Sequence, residues 1–235
     1  GKGSLQLSVS IKLLSTLAVQ GALPALMERY EQVAGTRVDV HFEPSNGLLA
    51  RIAAGKVADV AILTRAAVDD LARDGVLILD SVADVAISLV GIAVKAGAAR
   101  PGIGSVEALK ATLLAANSIG YSKIGASGVF FAELIERLGI AEAVNAKATI
   151  IPGGFTGELA ARGEVELAVQ QVSELMLVPG IDVVGPLPPG AESVTMFSAG
   201  VFARSNATAP ARQLIAYLRS AEAAQALTAA GLRPA

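Results

Sequence analysis

The sequence has no cysteine, no tryptophan and a single histidine, His41, and aromatic residues make up only 4% of its 235 positions. Without thiols there is no disulfide and no thiolate metal site, although neither the cytosol nor the periplasm is excluded. With one imidazole, a transition-metal centre would have to be an all-carboxylate cage. The acidic residues are instead spread over helix faces beside basic ones, as Glu133, Glu136 and Arg137 are. Neither a metal nor a cofactor is expected. A Ser-His-Asp triad would depend on His41, which falls inside an expected strand rather than beside an exposed serine. Charge is scarce as well: 19 basic and 21 acidic residues give a net charge of −2, with no long run of either sign. That leaves no footprint for nucleic acid or for an acidic membrane surface. Long apolar runs are also missing. Val85–Val94 is interrupted by Ser88 and Gly91 and is about half of the roughly 20 residues that cross a bilayer, so it reads as a buried strand.

What is present is apolar side chain in short, regularly spaced segments. Hydrophobic residues make up 53% of the chain, enough for a sizeable core in one large domain or two small ones. Val19, Ala22, Leu23, Leu26, Met27 and Tyr30 recur at helical spacing over 19–34, with Glu28, Arg29 and Glu31 on the opposite face. Val38–Phe42 then reads as a strand, Leu48–Ala54 as a helix closed by Gly55, Val60–Leu63 as a strand and Ala66–Arg73 as a helix. The same alternation follows in strands at Val90–Val94, Ser118–Tyr121, Ala148–Ile151 and Leu167–Gln170. Between them lie helices at Val106–Ala116, Val129–Leu138 and Gly157–Ala161. A turn-rich crossing at Pro186, Pro188, Pro189 and Gly190 precedes a strand at Thr195–Phe202 and helices at Ala209–Arg219 and Ala221–Ala230. Short apolar strands alternating with helices imply an α/β chain with mainly parallel sheets covered on both faces.

One device recurs in this alternation. An apolar run ends in small hydroxyl or glycine residues and opens directly into a helix, at Ser15-Thr16-Leu17-Ala18, Pro44-Ser45-Asn46-Gly47 and Gly125-Ala126-Ser127-Gly128. The first turn of a helix carries unpaired N–H groups and a partial positive charge, so such junctions hold anions without a basic side chain. Known nucleotide and hydrolase signatures do not fit. Gly102-Ile103-Gly104 is followed by Glu107 where a dinucleotide fingerprint needs a third glycine, no P-loop is present, and Val129 breaks the elbow pattern around Ser127.

These segments carry a resemblance. Thr16-Leu17-Ala18, then Phe42-Glu43-Pro44-Ser45-Asn46-Gly47-Leu48-Leu49-Ala50-Arg51-Ile52 with Gly55 and Ala58-Asp59-Val60, is similar to the first lobe of molybdate-binding periplasmic solute-binding proteins. Ala126-Ser127-Gly128, Leu138-Gly139, Arg162-Gly163-Glu164 and Gly231-Leu232 extend the likeness over nearly the whole chain. The resemblance implies a two-lobed type II periplasmic-binding fold with two crossover strands, lobe 1 being residues 1–87 plus 193–235 and lobe 2 residues 88–192. It also implies a small anion held in a cleft, delivery to a membrane ABC permease, a monomer and a periplasmic location. The opening Gly1-Lys2-Gly3-Ser4 then reads as a cloning remnant or as the start of a chain whose signal peptide has been removed.

Carried over residue by residue, the resemblance places ligand contacts at Ser15, Thr16 and Ala18 in the first loop, and at Ser45 and Asn46 in the second. It places Ser127 and Gly128 at the third helix and Gly153 and Gly154 at the fourth contact, and Gln171 where the family has a tyrosine hydroxyl. Ala18 falls where the family has a serine. Arg65 and Lys123 are candidate partners for a carboxylate. Because Gln171 and Asn46 are amides that both donate and accept, a small organic carboxylate stands beside molybdate or tungstate as the ligand. Each residue also has a structural reading: the serines and Thr16 as helix caps, the glycines as turn formers, Arg65 and Lys123 as surface charges. Three function classes stay open: an importer's solute-binding protein, the ligand-sensing domain of a regulator, and a hydrolase or lyase on the same scaffold, which the lack of a nucleophile with a base disfavours, so the chain is not expected to be an enzyme.

Overall fold

A computed structural model describes residues 9–235, and the reading of Gly1–Ser4 lies outside the described residues. In chain order the elements begin β1 (Val9–Ser15), α1 (Leu23–Ala34), β2 (Thr36–Phe42), α2 (Ser45–Ala53), β3 (Val60–Thr64), α3 (Arg65–Arg73) and β4 (Ala83–Lys95). There follow α4 (Val106–Ala115), β5 (Ile119–Ser122), α5 (Ala126–Arg137), α6 (Ala141–Asn145), β6 (Ala148–Ile151), α7 (Thr156–Ala161), β7 (Leu167–Gln171) and α8 (Val172–Leu175). The chain closes with β8 (Ile181–Pro186), β9 (Val194–Val201), α9 (Thr208–Leu218), α10 (Ala221–Ala229) and β10 (Arg233–Pro234). The chain forms two compact units. One takes the chain up to Ile87 and resumes at Met196–Ala235, and the other is Ser88–Thr195, so the backbone passes between them within β4 and within β9.

In the first unit β1 pairs in parallel with β2, from Val9 opposite Thr36 to Ser15 opposite Phe42, and with β3, while β9 lies antiparallel to β3. Successive strand residues point to opposite faces, and both faces are apolar. Ile11, Leu13, Val60, Ile62 and Phe197 pack with α1, α9 and α10 on one side. Leu14, Ala61 and Leu63 pack with Leu48, Ile52 and Val68 of α2 and α3 on the other. This explains why Val60–Leu63 reads as a continuous apolar run rather than an alternating one.

The second unit repeats the scheme. β5 lies parallel to β6 and β7, and β4 runs antiparallel to β7 and β8. Val90, Ile92, Ile119 and Val169 face α4 and α5, whose Leu109, Leu113 and Phe131 are fully buried. Ala93 and Ala168 face Leu159 and Ala160 of α7 and Leu175 of α8. Small residues on this face let α7 and α8 approach the strands closely.

The expected helix over 19–34 is divided: a 3-10 turn at Leu17–Val19 precedes α1, whose start carries a proline in the first turn, where its missing N–H costs nothing. α2 begins at Ser45, earlier than Leu48, because Pro44 at its N-cap sets φ at −54° and the helix follows at once. β8 is an additional strand at the edge of β4. Gly185 and Pro186 end it, and these punctuating residues led the sequence reading to a turn.

Asp84 on β4 and Ser198 on β9 hold the first unit's sheet to α3. Asp84 Oδ1 accepts from Ser198 Oγ and from Arg65 Nη1, both at 2.7 Å. The Ser198 hydroxyl, followed by the Arg65 guanidinium, holds the Asp84 carboxyl below its ordinary range. A lowered folded-state pKa contributes stability that is complete above the unfolded carboxylate value and lost as pH falls through the folded one. Asp84→Ala is expected to cost about 1 kcal/mol at pH 7, a charged hydrogen bond discounted for partial exposure. Urea unfolding should show the difference from wild type shrinking as the pH is taken below that of ordinary carboxylates.

Candidate functional site

In the first unit the hydroxyl groups named from the sequence come together. Parallel pairing of β1 with β2 and β3 sets the C-terminal ends of these strands along one edge of the sheet. Ser15 is fully buried and its Oγ donates to Thr16 O at 3.0 Å. The Thr16 N–H donates to Ile62 O on β3 at 3.0 Å, and Ser45 Oγ donates to Thr16 Oγ1 at 3.1 Å. Ala18 is buried inside the 3-10 turn, so it brings only its backbone to this edge. Asn46 is exposed on the first turn of α2. Arg65 is engaged elsewhere, its guanidinium bonded to Asp69 at 2.8 Å and Asp84 at 2.7 Å, so its charge is already neutralised within the unit. His41 lies on the exposed face of β2, 3.6 Å from Glu43.

In the second unit β5 leads through Ser122 into α5. Ser122 Oγ accepts from the Gly125 N–H at 3.0 Å. Ser127 is buried in the first turn, and Gly128 follows where α5 lies directly on the strand: a Cβ there would stand 1.6 Å from Ser122 O. Lys123 has an exposed side chain, and its N–H donates to Ile151 O. Gly153 and Gly154 form the loop between β6 and α7. Gly154 has φ of +88°, a conformation that favours glycine.

β7 ends in two buried glutamines. Gln171 Oε1 accepts from Ser88 Oγ at 2.5 Å, while its Nε2 has no protein partner. Gln170 Nε2 donates to Gly154 O at 3.1 Å and to Glu174 Oε2 at 2.9 Å, and its Oε1 accepts from the Thr156 N–H at 3.0 Å. The glutamine thus fastens the Gly153–Gly154 loop to the start of α8. Glu174 is pushed up to about 8 by burial, only partly offset by the hydrogen bond from Gln170. Sequence reasoning missed this residue. α8 has only four residues, too few to show a helical period, and a glutamate in the segment Val172-Ser173-Glu174-Leu175 reads as a surface charge.

The hydroxyl residues at these junctions do not act as caps. The turn at Leu17–Val19, α2 and α5 all begin without a side-chain cap, whereas Thr64, Ser105 and Ser220 cap α3, α4 and α10. The capping reading of Thr16, Ser45 and Ser127 therefore falls away. Among the described residues no group of three His, Asp or Glu side chains is placed to hold a metal ion, and no helix is long and apolar enough to cross a membrane.

The sequence model of the family described as bacterial extracellular solute-binding protein matches residues 11–233. The chain belongs to this family. Membership implies a periplasmic or extracellular protein. The fold is that of the molybdate-binding type: the chain superposes on the Azotobacter vinelandii periplasmic molybdate-binding protein with a TM-score of 0.78 at 17% identity, covering 94% of this chain and 98% of that one. It also matches PEB3 of Campylobacter jejuni bound to L-phospholactate, with a TM-score of 0.72 at 17% identity over 95% of this chain and 99% of that one. A protein of Pseudomonas sp named aconitate isomerase is 36% identical over 231 residues, 96% of this chain and 88% of that protein. That relative corrects the expectation that the chain is not an enzyme. The expectation rested on the lack of a nucleophile–base pair, and an isomerase that moves only a proton needs no nucleophile.

Gly128→Ala tests the packing under the third junction. Its methyl group cannot be accommodated against the Ser122 carbonyl, so α5 must move off β5. The variant should lose at least about 2 kcal/mol in urea unfolding or fail to accumulate as folded protein. Gly153→Ala, where nothing lies near the added carbon, should unfold like wild type.

Proposed function

We propose that the protein is an isomerase of aconitate or of a closely related unsaturated polycarboxylate, acting in the periplasm. Neutral hydroxyl, amide and backbone N–H groups at its strand-to-helix junctions are the groups suited to such an anion. The observation that carries this reading is the 36% identity to an aconitate isomerase along almost the whole chain. The donor set supports it: Thr16, Ser45, Ser127 and Gln171 are neutral, and Arg65, the candidate carboxylate partner in the first unit, is already paired with two carboxylates. An amide at Gln171, with its oxygen occupied by Ser88, offers an N–H to a carboxylate oxygen. A neighbour of the same fold is bound to L-phospholactate, which carries a carboxylate.

Aconitate is a propene with a carboxylate on each carbon of its three-carbon chain. Its isomers differ in geometry about the double bond, and a proton shift across the chain interconverts them. One arm is a methylene flanked by a carboxylate and the alkene, so its C–H is acidified by both. Neutral donors that bind the carboxylates also stabilise the negative charge that spreads onto them when that proton leaves. A second reading, capture of the same anion for delivery to a membrane ABC permease, is favoured by the family description and uses the same binding groups.

The test is to incubate the purified protein separately with each isomer of aconitate and follow both by chromatography. The two reactions should converge on one mixture. Ser45→Ala should lower kcat/KM by about 10-fold, the loss of one hydrogen-bonding hydroxyl. Persistence of both isomers unchanged, even with protein and substrate at equal concentration, would contradict the isomerase reading.

A further inference from the structure

Ser88 interrupts the apolar run Val85–Val94 of β4. Side chains alternate along a strand, so Ser88 shares its face of β4 with Val90, Ile92 and Val94, which pack with α4 and α5. It is fully buried there. An alanine or a valine would occupy the place without a polar group to satisfy, so the hydroxyl calls for a reason.

The reason is Gln171. β4 and β7 are antiparallel with Val90 opposite Gln171, so Ser88 lies diagonal to Gln171 on the same face, within reach of a long side chain. The two ends of an amide differ little in shape, and hydrogen bonding decides which of them meets the hydroxyl. Ser88 Oγ stands 2.5 Å from Gln171 Oε1, a separation within the range of an O–H···O bond and short for an N–H···O one. The hydroxyl therefore donates and the amide oxygen accepts.

The end of the amide that is left over is a donor. Gln171 is 2% exposed, and its Nε2 has no hydrogen-bond partner among the described residues. Enclosed polar atoms are ordinarily satisfied, so this amide nitrogen points to a ligand group that accepts. Gln171 closes β7 immediately before α8, at the edge of the sheet where the parallel strands β5, β6 and β7 all end. From the sequence alone its amide donates and accepts alike. With Ser88 on the oxygen, only the donating half remains.

We propose that Ser88 is a positioning residue: it fixes the Gln171 amide so that only its N–H groups face the ligand, and this favours an ionised carboxylate. The inference rests on the carboxylate reading above. An ionised carboxylate only accepts hydrogen bonds, and its charge strengthens the one from the amide. Without Ser88 the amide turns, and the orientation that brings its oxygen toward a carboxylate is repulsive. Part of the binding free energy then goes into holding the amide. Ser88 acts on the ligand through Gln171 and not by contact of its own.

The experiment is a double-mutant cycle on the full chain, with binding of pre-equilibrated aconitate measured by isothermal titration calorimetry. Ser88→Ala should weaken binding about 10-fold, and Gln171→Leu by at least as much. Because Ser88 acts only through the amide, adding Ser88→Ala to Gln171→Leu should change the affinity by less than about 2-fold. A merely structural role gives the same loss in both backgrounds, and that result, or wild-type affinity in Ser88→Ala, overturns the proposal. In 15N-labelled wild-type protein the side-chain NH2 protons of Gln171 should move downfield as aconitate saturates. Unmoved resonances overturn the proposal even where a variant does not fold. Coupled losses in a protein that leaves both isomers of aconitate unchanged keep the role of Ser88 and remove the isomerase reading. A wild-type protein that does not bind aconitate overturns both.

Discussion

Parallel pairing constrains everything that follows in each unit. When β1, β2 and β3 run side by side in one direction, each must hand the chain to a helix before the next strand can start, and every hand-over occurs at the same edge. The loops at that edge have to be polar, because the first N–H groups of the following helix have no partner within it. In the first unit this gathers Ser15, Thr16 and Ser45 within hydrogen-bond distance. In the second, the parallel run of β5, β6 and β7 brings the Gly153–Gly154 loop to Gln170 near the end of β7.

The electrostatics of these edges follow from how little charge reaches them. Arg65, the cation best placed by sequence, is spent on Asp69 and Asp84, and that arrangement stabilises the sheet of the first unit instead. Lys123 keeps its side chain in solvent. Neutral donors remain, and they suit a ligand whose charge is spread over several carboxylates, since each oxygen is met by an N–H or O–H and no single ion pair dominates. Among the described residues Glu174 is the one buried carboxyl, and burial pushes it up to about 8.

Most of the architecture was legible because both units are built from short apolar strands and helices with one buried stripe, the pattern that periodicity detects best. The family likeness added the order of the segments. What was not legible has physical reasons. β8 is an edge strand ending in Gly185 and Pro186, residues that ordinarily mark turns. Ser45 belongs to α2 because Pro44 starts the helix, while the apolar periodicity begins only at Leu48. Ser15, Thr16, Ser45 and Gln171 were recognisable as polar residues at strand ends, but their mutual contacts depend on register. Glu174 gave no local signal at all: its meaning comes from burial beneath Gln170, and burial of a single residue in a four-residue helix leaves no periodic trace. The inference that no catalysis occurs failed for a related reason, since it asked for a nucleophile and did not consider a reaction that needs only a proton carrier.

The central claim is that this solute-binding fold, with its neutral donors, is adapted to a polycarboxylate rather than to a metal oxyanion. Isothermal titration calorimetry of the wild-type protein with aconitate, repeated in the presence of excess molybdate, addresses it directly. The account predicts saturable, stoichiometric binding of aconitate that molybdate leaves unchanged. Tight binding of molybdate that abolishes the aconitate signal, or the absence of any aconitate signal, would contradict it.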